Sequence, residues 1–333
     1  MVSLAVLAVV VFGPIPSLPW GKAGAAAKTA EVRRPAAPKP KPAGAAPRLT
    51  EGPSKQVDLP FEEHLAGRES APPPATPASE SHGQLVPGNG NGEAGDPRLS
   101  GPVDPVPNDV GKGPRMVVVI DDIGDHPVMA ANLMDLPFPV TLAILPQRPR
   151  TRSVATQAAA RGIEVILHQP MQPGSYPRVN PGPGALFTDM DTARIQATLS
   201  ENLDALPEAI GINNHMGSAF TGDAAGMAAV MPVLKARGLF FMDSVTSATS
   251  AAPEAARKAG VPFYRRAVFL DNVRNTRTIL GQLKTAERHA LKHGRAIAIG
   301  HPYGETYEAL KLWAKERDPR VALVTLRTLG PEF

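Results

Sequence analysis

Residues 116–122 read MVVVIDD, an unbroken apolar run that ends in two adjacent carboxylates, Asp121 and Asp122. Five further short apolar runs end in a similar way, in a histidine or an aspartate. These terminal residues are His168, His215, Asp243, Asp271 and His301. Short runs rich in Val and Ile, separated by helix-like segments, are typical of buried parallel strands. Because the carboxyl ends of parallel strands open on one face, we expect these side chains to meet in one pocket.

Strands and helices are predicted to alternate along the second part of the chain. The predicted strands cover residues 116–121, 140–145, 163–168, 209–214, 238–243, 262–270, 296–300 and 321–326. The predicted helices cover residues 127–135, 149–161, 190–205, 223–237, 252–259, 273–293 and 304–317. This pattern favours an α/β fold, an irregular (β/α)7-8 barrel, with a doubly wound open sheet as the alternative. No GxGxxG follows the first strand, which counts against a dinucleotide-binding fold.

The first 112 residues differ in composition from the rest. Residues 1–20 are apolar and uncharged apart from the terminus, which is typical of a signal sequence or a membrane anchor. Residues 21–112 hold 16 of the 37 prolines and one aromatic residue, so we expect a disordered Pro/Ala-rich linker. Residues 113–333 suffice for one sizeable core. We therefore expect a periplasmic, extracytoplasmic domain, exported or anchored to the inner membrane by the N-terminal segment.

Charge and cysteine content narrow the function classes. The chain has 35 Lys and Arg against 31 Asp and Glu, and no cysteine. The lack of cysteine excludes disulfides, thiolate nucleophiles and Cys-based zinc sites. The basic excess between Lys22 and Arg48 suits either a solvated linker or contact with anionic lipid or wall polymer. No basic stripe with interleaved aromatics occurs in residues 113–333, so we expect no nucleic-acid partner.

The residues at the predicted strand ends suit metal-assisted acid/base chemistry. In the Asp121–Asp122 pair, one carboxylate can bind a metal while the other accepts a proton, although Asp-Asp-x-Gly also suits a solvated turn. His168 and His215 end adjacent strands and are suited to bind zinc with one carboxylate. His301 is suited to act as a general acid because imidazole titrates near neutral pH; a metal ligand or a core histidine is the alternative.

Five further polar residues lie at or near the same strand ends. They are predicted to orient the ligands or to contact the substrate, and they are Asn213, Asn214, Ser218, Asp243 and Asp271. For the two aspartates, capping of the following helix is the alternative.

Residues 113–330 resemble the divergent polysaccharide deacetylase family, exported bacterial proteins with a glycoside hydrolase/deacetylase-type β/α barrel. The resemblance rests on five segments taken together: IDDIG at 120–124, LHQPM at 167–171, NNHMGS at 213–218, MDS at 242–244 and IGHP at 299–302. It implies that Asp121 is the catalytic base, that Asp122 and His168 bind the metal, and that His301 is the catalytic acid.

Two features depart from the wider family: its arginine-containing third motif has no clear counterpart here, and one ligand position differs. That family has a second metal-binding histidine four residues after the first, and this position is Gln172 here. His215, from the next strand, is the implied substitute.

The resemblance implies a hydrolase that uses Zn2+ or another divalent metal and removes acetyl groups from a cell-envelope polysaccharide. A non-catalytic module that binds envelope glycan, or an envelope or division protein, is the alternative. A metal-dependent hydrolase of another amide, such as a peptide link, is a third interpretation.

Overall fold

Parallel strands and helices alternate along residues 113–333, which are the residues that the computed structural model describes. The strands are β1 (Arg115–Ile123), β2 (Thr141–Ile144), β3 (Glu164–Met171), β4 (Ala209–Met216), β5 (Phe240–Asp243), β6 (Phe263–Arg265), β7 (Val268–Phe269), β8 (Arg295–Gly300) and β9 (Ala322–Leu323). The helices are α1 (Pro127–Met134), α2 (Thr151–Ala160), α3 (Thr192–Asp204), α4 (Ala224–Ala236), α5 (Ala252–Ala259), α6 (Thr276–His293), α7 (Gly304–Glu316) and α8 (Leu326–Leu329).

The strands form one sheet in the order β6-β5-β4-β3-β2-β1-β8-β7, and β9 pairs with the beginning of β1. All pairs between these strands are parallel. The strand with the longest apolar run, β1, is central: it pairs with β2 on one side and with β8 on the other. The sheet curls into an irregular (β/α) barrel, which confirms the predicted fold class.

The barrel is interrupted between β6 and β7, where a single strand over 262–270 was predicted. That prediction was wrong, because the chain changes hydrogen-bonding partner in the middle of the segment. The N–H of Arg266 donates to the carbonyl of Asp243 in β5 at 3.0 Å, whereas the N–H of Ala267 donates to Ile297 in β8 at 2.8 Å. Two residues of chain, rather than a strand ladder, therefore join the two ends of the sheet.

The predicted strand 321–326 is also shorter than expected. Only Ala322 and Leu323 pair with β1, and the chain then turns into the helix α8. The hydroxyl of Thr325 accepts a hydrogen bond from the N–H of Thr328, which caps this helix. Thr325 thus ends the extended segment, and Leu326, the last residue of the predicted strand, begins the helix instead.

Alternating residues of the strands build two apolar layers. Met116, Val118 and Ile120 of β1 face the helices, while Val117 and Val119 belong to the cluster inside the barrel. Leu326 and Leu329 of α8 complete that inner cluster. The helix therefore fills the amino end of the barrel.

Glu164, the first residue of β3, holds α8 in this position. Its carboxylate accepts hydrogen bonds from the N–H groups of Leu326 and Arg327, at 2.8 and 3.2 Å. The hydroxyl of Tyr264 donates to the carbonyl of Leu326 at 3.1 Å. Because one end of the barrel is filled, the carboxyl ends of the strands are the face that remains for a site.

The predicted apolar segment (1–20) and linker (21–112) lie outside the described residues. Among residues 113–333, no helix combines the length and the apolar character needed to cross a membrane.

The packing of β4 against β5 can be tested at Gly211, which is paired with Phe240. A Cβ atom at this position would overlap the buried Phe240 ring, which itself packs on Tyr264. We expect Gly211→Ala to lower the free energy of unfolding by about 1–3 kcal/mol, because the ring must leave its place. Urea unfolding of the full chain measures this change.

Gly281 on α6 is the matched control, since a Cβ there meets nothing within 4 Å. Gly281→Ala should raise stability by about 0.5–1 kcal/mol. Equal stability of Gly211→Ala and the wild type would contradict the packing.

Candidate metal centre

The two aspartates of β1 reach the same site because the strand is irregular at its end. The register of β1 against β2 shifts between Ile120 and Ile123, and Asp122 has a φ of 57°. A regular strand would send adjacent side chains to opposite faces. Left-handed backbone is uncommon for a residue other than glycine, and such strain gathers at functional sites. The irregularity thus brings both carboxylates to the carboxyl end of the barrel.

Asp122, His168 and His215 form a close group of potential metal ligands. Oδ1 of Asp122 lies 3.1 Å from Nε2 of His168 and 2.9 Å from Nδ1 of His215. The two ring nitrogens are 3.2 Å apart. Strand pairing explains the meeting, because Pro170, two residues after His168, is the partner of His215 in the ladder. The three residues predicted to bind a metal are therefore brought together.

The chemistry of these donors fits a divalent ion. Zinc with ligands at about 2.0–2.1 Å in a tetrahedron places neighbouring donor atoms about 3.3 Å apart, close to the spacing of this group. Oδ1 of Asp122 is buried and has no hydrogen bond of proper geometry. Burial opposes its ionisation, but His215 and His168 hold the pKa of Asp122 well below its usual range. A buried carboxylate oxygen that faces two ring nitrogens without a well-aligned hydrogen bond is suited to a cation.

The field around His168 also favours a cation. Burial opposes a charge on this ring, but Asp121 and Asp122 outweigh burial and raise the pKa of His168. Behind the ring, Nδ1 lies 2.8 Å from Oδ1 of Asn213, which can only accept a hydrogen bond. His168 thus carries its hydrogen on Nδ1 and presents Nε2 to the group, the arrangement usual for a metal-binding histidine.

Asp121 lies beside the metal-ligand group as a buried carboxylate. Its Oδ2 is 3.7 Å from Nε2 of His168, and its Oδ1 accepts a hydrogen bond of 2.8 Å from Nδ2 of Asn213. Burial raises the pKa of Asp121. A carboxylate with increased proton affinity is suited to accept a proton from a reacting water.

His301 faces the group from β8, the other neighbour of β1. Its Nε2 lies 3.8 Å from Oδ2 of Asp122. Its Nδ1 lies 2.9 Å from Oδ1 of Asp271, whose other oxygen accepts from the N–H of His301 and the hydroxyl of Thr306. Burial opposes a charge on the ring, but Asp271 outweighs it and raises the pKa of His301 to about 9. Asp271 therefore orients His301 and keeps it protonated.

The other predicted residues hold loops around the centre. Asn214 Oδ1 accepts from the N–H of Ser244, and its Nδ2 donates to the carbonyl of Met216. Asp243 Oδ1 accepts from the N–H of Val245 at 2.7 Å. These partners are backbone groups, and Nδ2 of Asn214 also donates to the hydroxyl of Thr246 at 3.1 Å.

Ser218 and Gln172 similarly fasten the segment after β3. Ser218 Oγ accepts a hydrogen bond of 2.9 Å from the N–H of Gly174. Gln172 Oε1 accepts from the N–H and the hydroxyl of Thr188, at 2.8 and 3.1 Å. The position that departs from the wider family thus has a bonding role in the loop.

A pocket of about 390 Å3 opens at the centre, with Asp122 and His215 in its wall. Its other walls are largely proline and aliphatic side chains, and five consecutive residues, 179–183, come from the loop after β3. Asp125 and Arg148 also line it, and the strand-end pattern did not identify them. The position of Asp125, three residues after Asp122 in the sequence, is the feature from which its place near the centre could have been predicted.

Comparisons with known proteins agree with this architecture. The chain is 35% identical over 215 residues to the uncharacterized protein YibQ of Escherichia coli, covering 65% of this chain and 67% of YibQ. It is 34% identical over 215 residues to an uncharacterized protein of Haemophilus influenzae, covering 65% of this chain and 76% of the relative. A crystal structure of an uncharacterized protein from Agrobacterium tumefaciens is similar with a TM-score of 0.63 and 26% identity, covering 67% of this chain and 92% of that one.

The family comparison is more specific. The sequence model of the divergent polysaccharide deacetylases matches residues 118–329, a range that contains every residue of the centre and confirms the resemblance found in the motifs. The chain belongs to the divergent polysaccharide deacetylase family.

Proposed function

We propose that this chain is a hydrolase that uses zinc or another divalent metal to remove acetyl groups from a cell-envelope polysaccharide. The observation that carries the proposal is the ligand group of Asp122, His168 and His215, with the buried Oδ1 of Asp122 lacking a hydrogen bond. Asp121, a buried carboxylate, and His301, an imidazole with a raised pKa, both lie beside this group. Membership of the family supports a polysaccharide as the substrate.

The roles of the side chains follow from their surroundings. Asp122, His168 and His215 would hold the ion, which supplies Lewis-acid activation of water and of the acetyl carbonyl. Asp121 is suited to take the proton of the attacking water, because burial raises its proton affinity while Asn213 fixes its orientation. His301 is suited to give a proton to the leaving amine or alcohol, because Asp271 keeps the ring protonated at neutral pH.

A binding module without catalysis is the second candidate. It is favoured by Gln172, whose side chain bonds to Thr188 where the wider family has a metal-binding histidine. The pair formed by Asp121 and His301 favours the hydrolase, since a protein that only binds a glycan needs no acid and base beside a metal.

We infer that the domain works outside the cytoplasm. This rests on the apolar sequence of residues 1–20 and on the Pro/Ala-rich composition of residues 21–112, which suit export or anchoring and a tether. Envelope or division proteins remain candidate partners under this proposal.

The metal centre is tested by substituting its histidines. We expect the purified full chain to hold about one divalent ion, and His168→Ala and His215→Ala to lose it, because each removes one of three ligands. His293→Ala, at an exposed helix end outside the centre, is the control and should keep the ion. Elemental analysis after dialysis measures the content. Full retention of the ion by either centre variant would refute the ligand assignment.

Catalysis is tested at the two proton-handling groups. Asp121→Asn and His301→Ala should lower kcat for release of acetate from an acetylated glycan on the order of 10²–10⁴-fold, since each removes a proton-transfer group. Their metal content should stay at the wild-type level, which separates catalysis from metal binding. A wild-type chain that holds metal and binds glycan but releases no acetate would favour the binding module instead.

A further inference from the structure

Asp125 and Arg148 form a second polar cluster in the pocket, separate from the metal-ligand group. Nε of Arg148 donates to Oδ1 and Oδ2 of Asp125 at 3.0 and 2.9 Å, and its Nη2 donates to Oδ2 at 2.6 Å. The two side chains are 29% and 38% exposed, so a ligand in the pocket can reach both. A two-pronged pair of this kind holds both groups in a fixed relative orientation.

The backbone around this pair is fastened from both sides. Gly124 has a φ of 144°, and a Cβ there would lie 3.0 Å from Cβ of Arg148, so the two segments touch directly. The N–H of Arg150 donates to the carbonyl of Gly124 at 2.9 Å, and Thr151 Oγ1 accepts from the N–H of Arg148 at 3.1 Å. The pair is thus held by the loops that follow β1 and β2, and β1 also carries Asp122.

The remaining pocket walls are mostly apolar. They include Leu145, Pro146, Pro170, Val179 and Pro181. In pockets of this kind a few fixed polar groups determine how a ligand is oriented. Away from the metal-ligand group, Asp125 and Arg148 are the charged pair that can do so among the residues lining this pocket.

The chemistry of the pair selects a neutral polyhydroxyl ligand. The charges of Asp125 and Arg148 cancel, so the pair itself favours neither an anion nor a cation. The carboxylate of Asp125 offers a hydrogen-bond acceptor directly beside the donors of Arg148. Neighbouring hydroxyl groups on a sugar ring present the complementary pattern, because each can donate to a carboxylate and accept from a guanidinium.

We propose that Asp125 and Arg148 bind neighbouring hydroxyl groups of the sugar whose acetyl group lies at the metal centre, and that they decide which position of that sugar reaches the centre. This rests on the proposed function for the identity of the reacting group. The hydroxyl-binding role itself can be measured without turnover.

The test is a binding measurement with the full chain carrying Asp121→Asn, so that the sugar is not consumed. The probe is the trimer of N-acetylglucosamine, titrated into the zinc-loaded protein and followed by NMR. Adding Asp125→Asn or Arg148→Lys should raise Kd about 10- to 100-fold, because hydrogen bonds to charged groups are lost; lysine keeps the charge but not the planar fork.

The matched control is the ion pair of Arg237 and Asp204, 2.7 Å long and outside the pocket. Arg237→Lys should leave Kd within about twofold, as expected for an exposed pair away from the ligand. Trimers lacking one hydroxyl of the terminal sugar give the sharper comparison. Removing the contacted hydroxyl should weaken binding to the parent protein and add little to the loss in Arg148→Lys.

Equal Kd for the parent and both pocket variants would overturn the proposal. So would a loss of affinity accompanied by lower thermal stability or lower zinc content, since the pair would then serve only to hold the loops. Failure of the parent to bind the trimer would also overturn it.

Different outcomes would refute the proposed hydrolase activity and the proposed role of Asp125 and Arg148. Tight binding with the hydroxyl dependence above, but no acetate release by the chain with Asp121 intact, would remove only the hydrolase assignment. Acetate release with the same KM in the wild type, Asp125→Asn and Arg148→Lys would remove only the role of the pair.

Discussion

The parallel pairing of β1 with β2 and β8 is the constraint on which the whole centre depends. Because every strand runs in the same direction, each one delivers its last residue to the same face of the barrel. The other end is filled by α8, which Glu164 holds through two backbone N–H groups. The polar residues that end β1, β3, β4 and β8 therefore meet at this end of the barrel, although they are far apart in sequence.

At this end of the barrel, the two imidazoles of His168 and His301 differ in the group that contacts Nδ1. His168 is backed by the neutral amide of Asn213, which fixes the hydrogen on Nδ1 and leaves Nε2 for a metal. His301 is backed by the carboxylate of Asp271, which raises its pKa and so favours a protonated ring. Two histidines in similar positions thus differ in the partner of Nδ1, a neutral amide for the candidate ligand and a carboxylate for the candidate acid, although carboxylates raise the pKa of both rings.

Asn213 contacts both a candidate metal ligand, His168, and the proposed base, Asp121. Its Oδ1 faces His168, while its Nδ2 donates to Asp121 at 2.8 Å and to the hydroxyl of Ser244 at 3.1 Å. All of these groups are buried, so each hydrogen bond is made in a medium of low polarity where its loss is costly. The orientation of the proposed base and of one metal ligand therefore depends on a single amide.

The strand-end pattern predicted which residues meet, because in a parallel sheet all strands end at the same face. An apolar run in a parallel strand stops where the chain reaches the open face, so the residue that follows must lie there. This reasoning placed Asp121, Asp122, His168, His215 and His301 together. It could not say which way a side chain turns: Asn214 and Asp243 lie at the same face, but Asn214 bonds to the segments after β4 and β5, and Asp243 bonds to the segment after β5.

Other features escaped prediction because they depend on tertiary contacts. The segment 262–270 is apolar at both ends with Arg265 and Arg266 between them, and the change of hydrogen-bonding partner from Asp243 to Ile297 breaks it into two strands there. The segment 321–326 is ended by the cap of α8. Arg148 lies in a polar loop after β2, and its place in the pocket follows from contact with Gly124 and Asp125 rather than from any local pattern.

The wider family has a metal-binding histidine at the position of Gln172, and His215 is the candidate that takes its place here. The ladder pairs Pro170 with His215, so His215 lies beside the point where β3 is about to end and can reach the same group as His168. The side chain of Gln172 instead accepts hydrogen bonds from Thr188.

That bond has a consequence for the pocket. Gln172 and Thr188 lie at the two ends of the loop that supplies residues 179–183 to the pocket wall. Here β3 carries one candidate ligand, His168, and the loop after it is fastened by Gln172 and forms a wall of the pocket. Of the three candidate ligands, Asp122 and His215 lie on β1 and β4, so two of them come from strands other than the one that this loop follows.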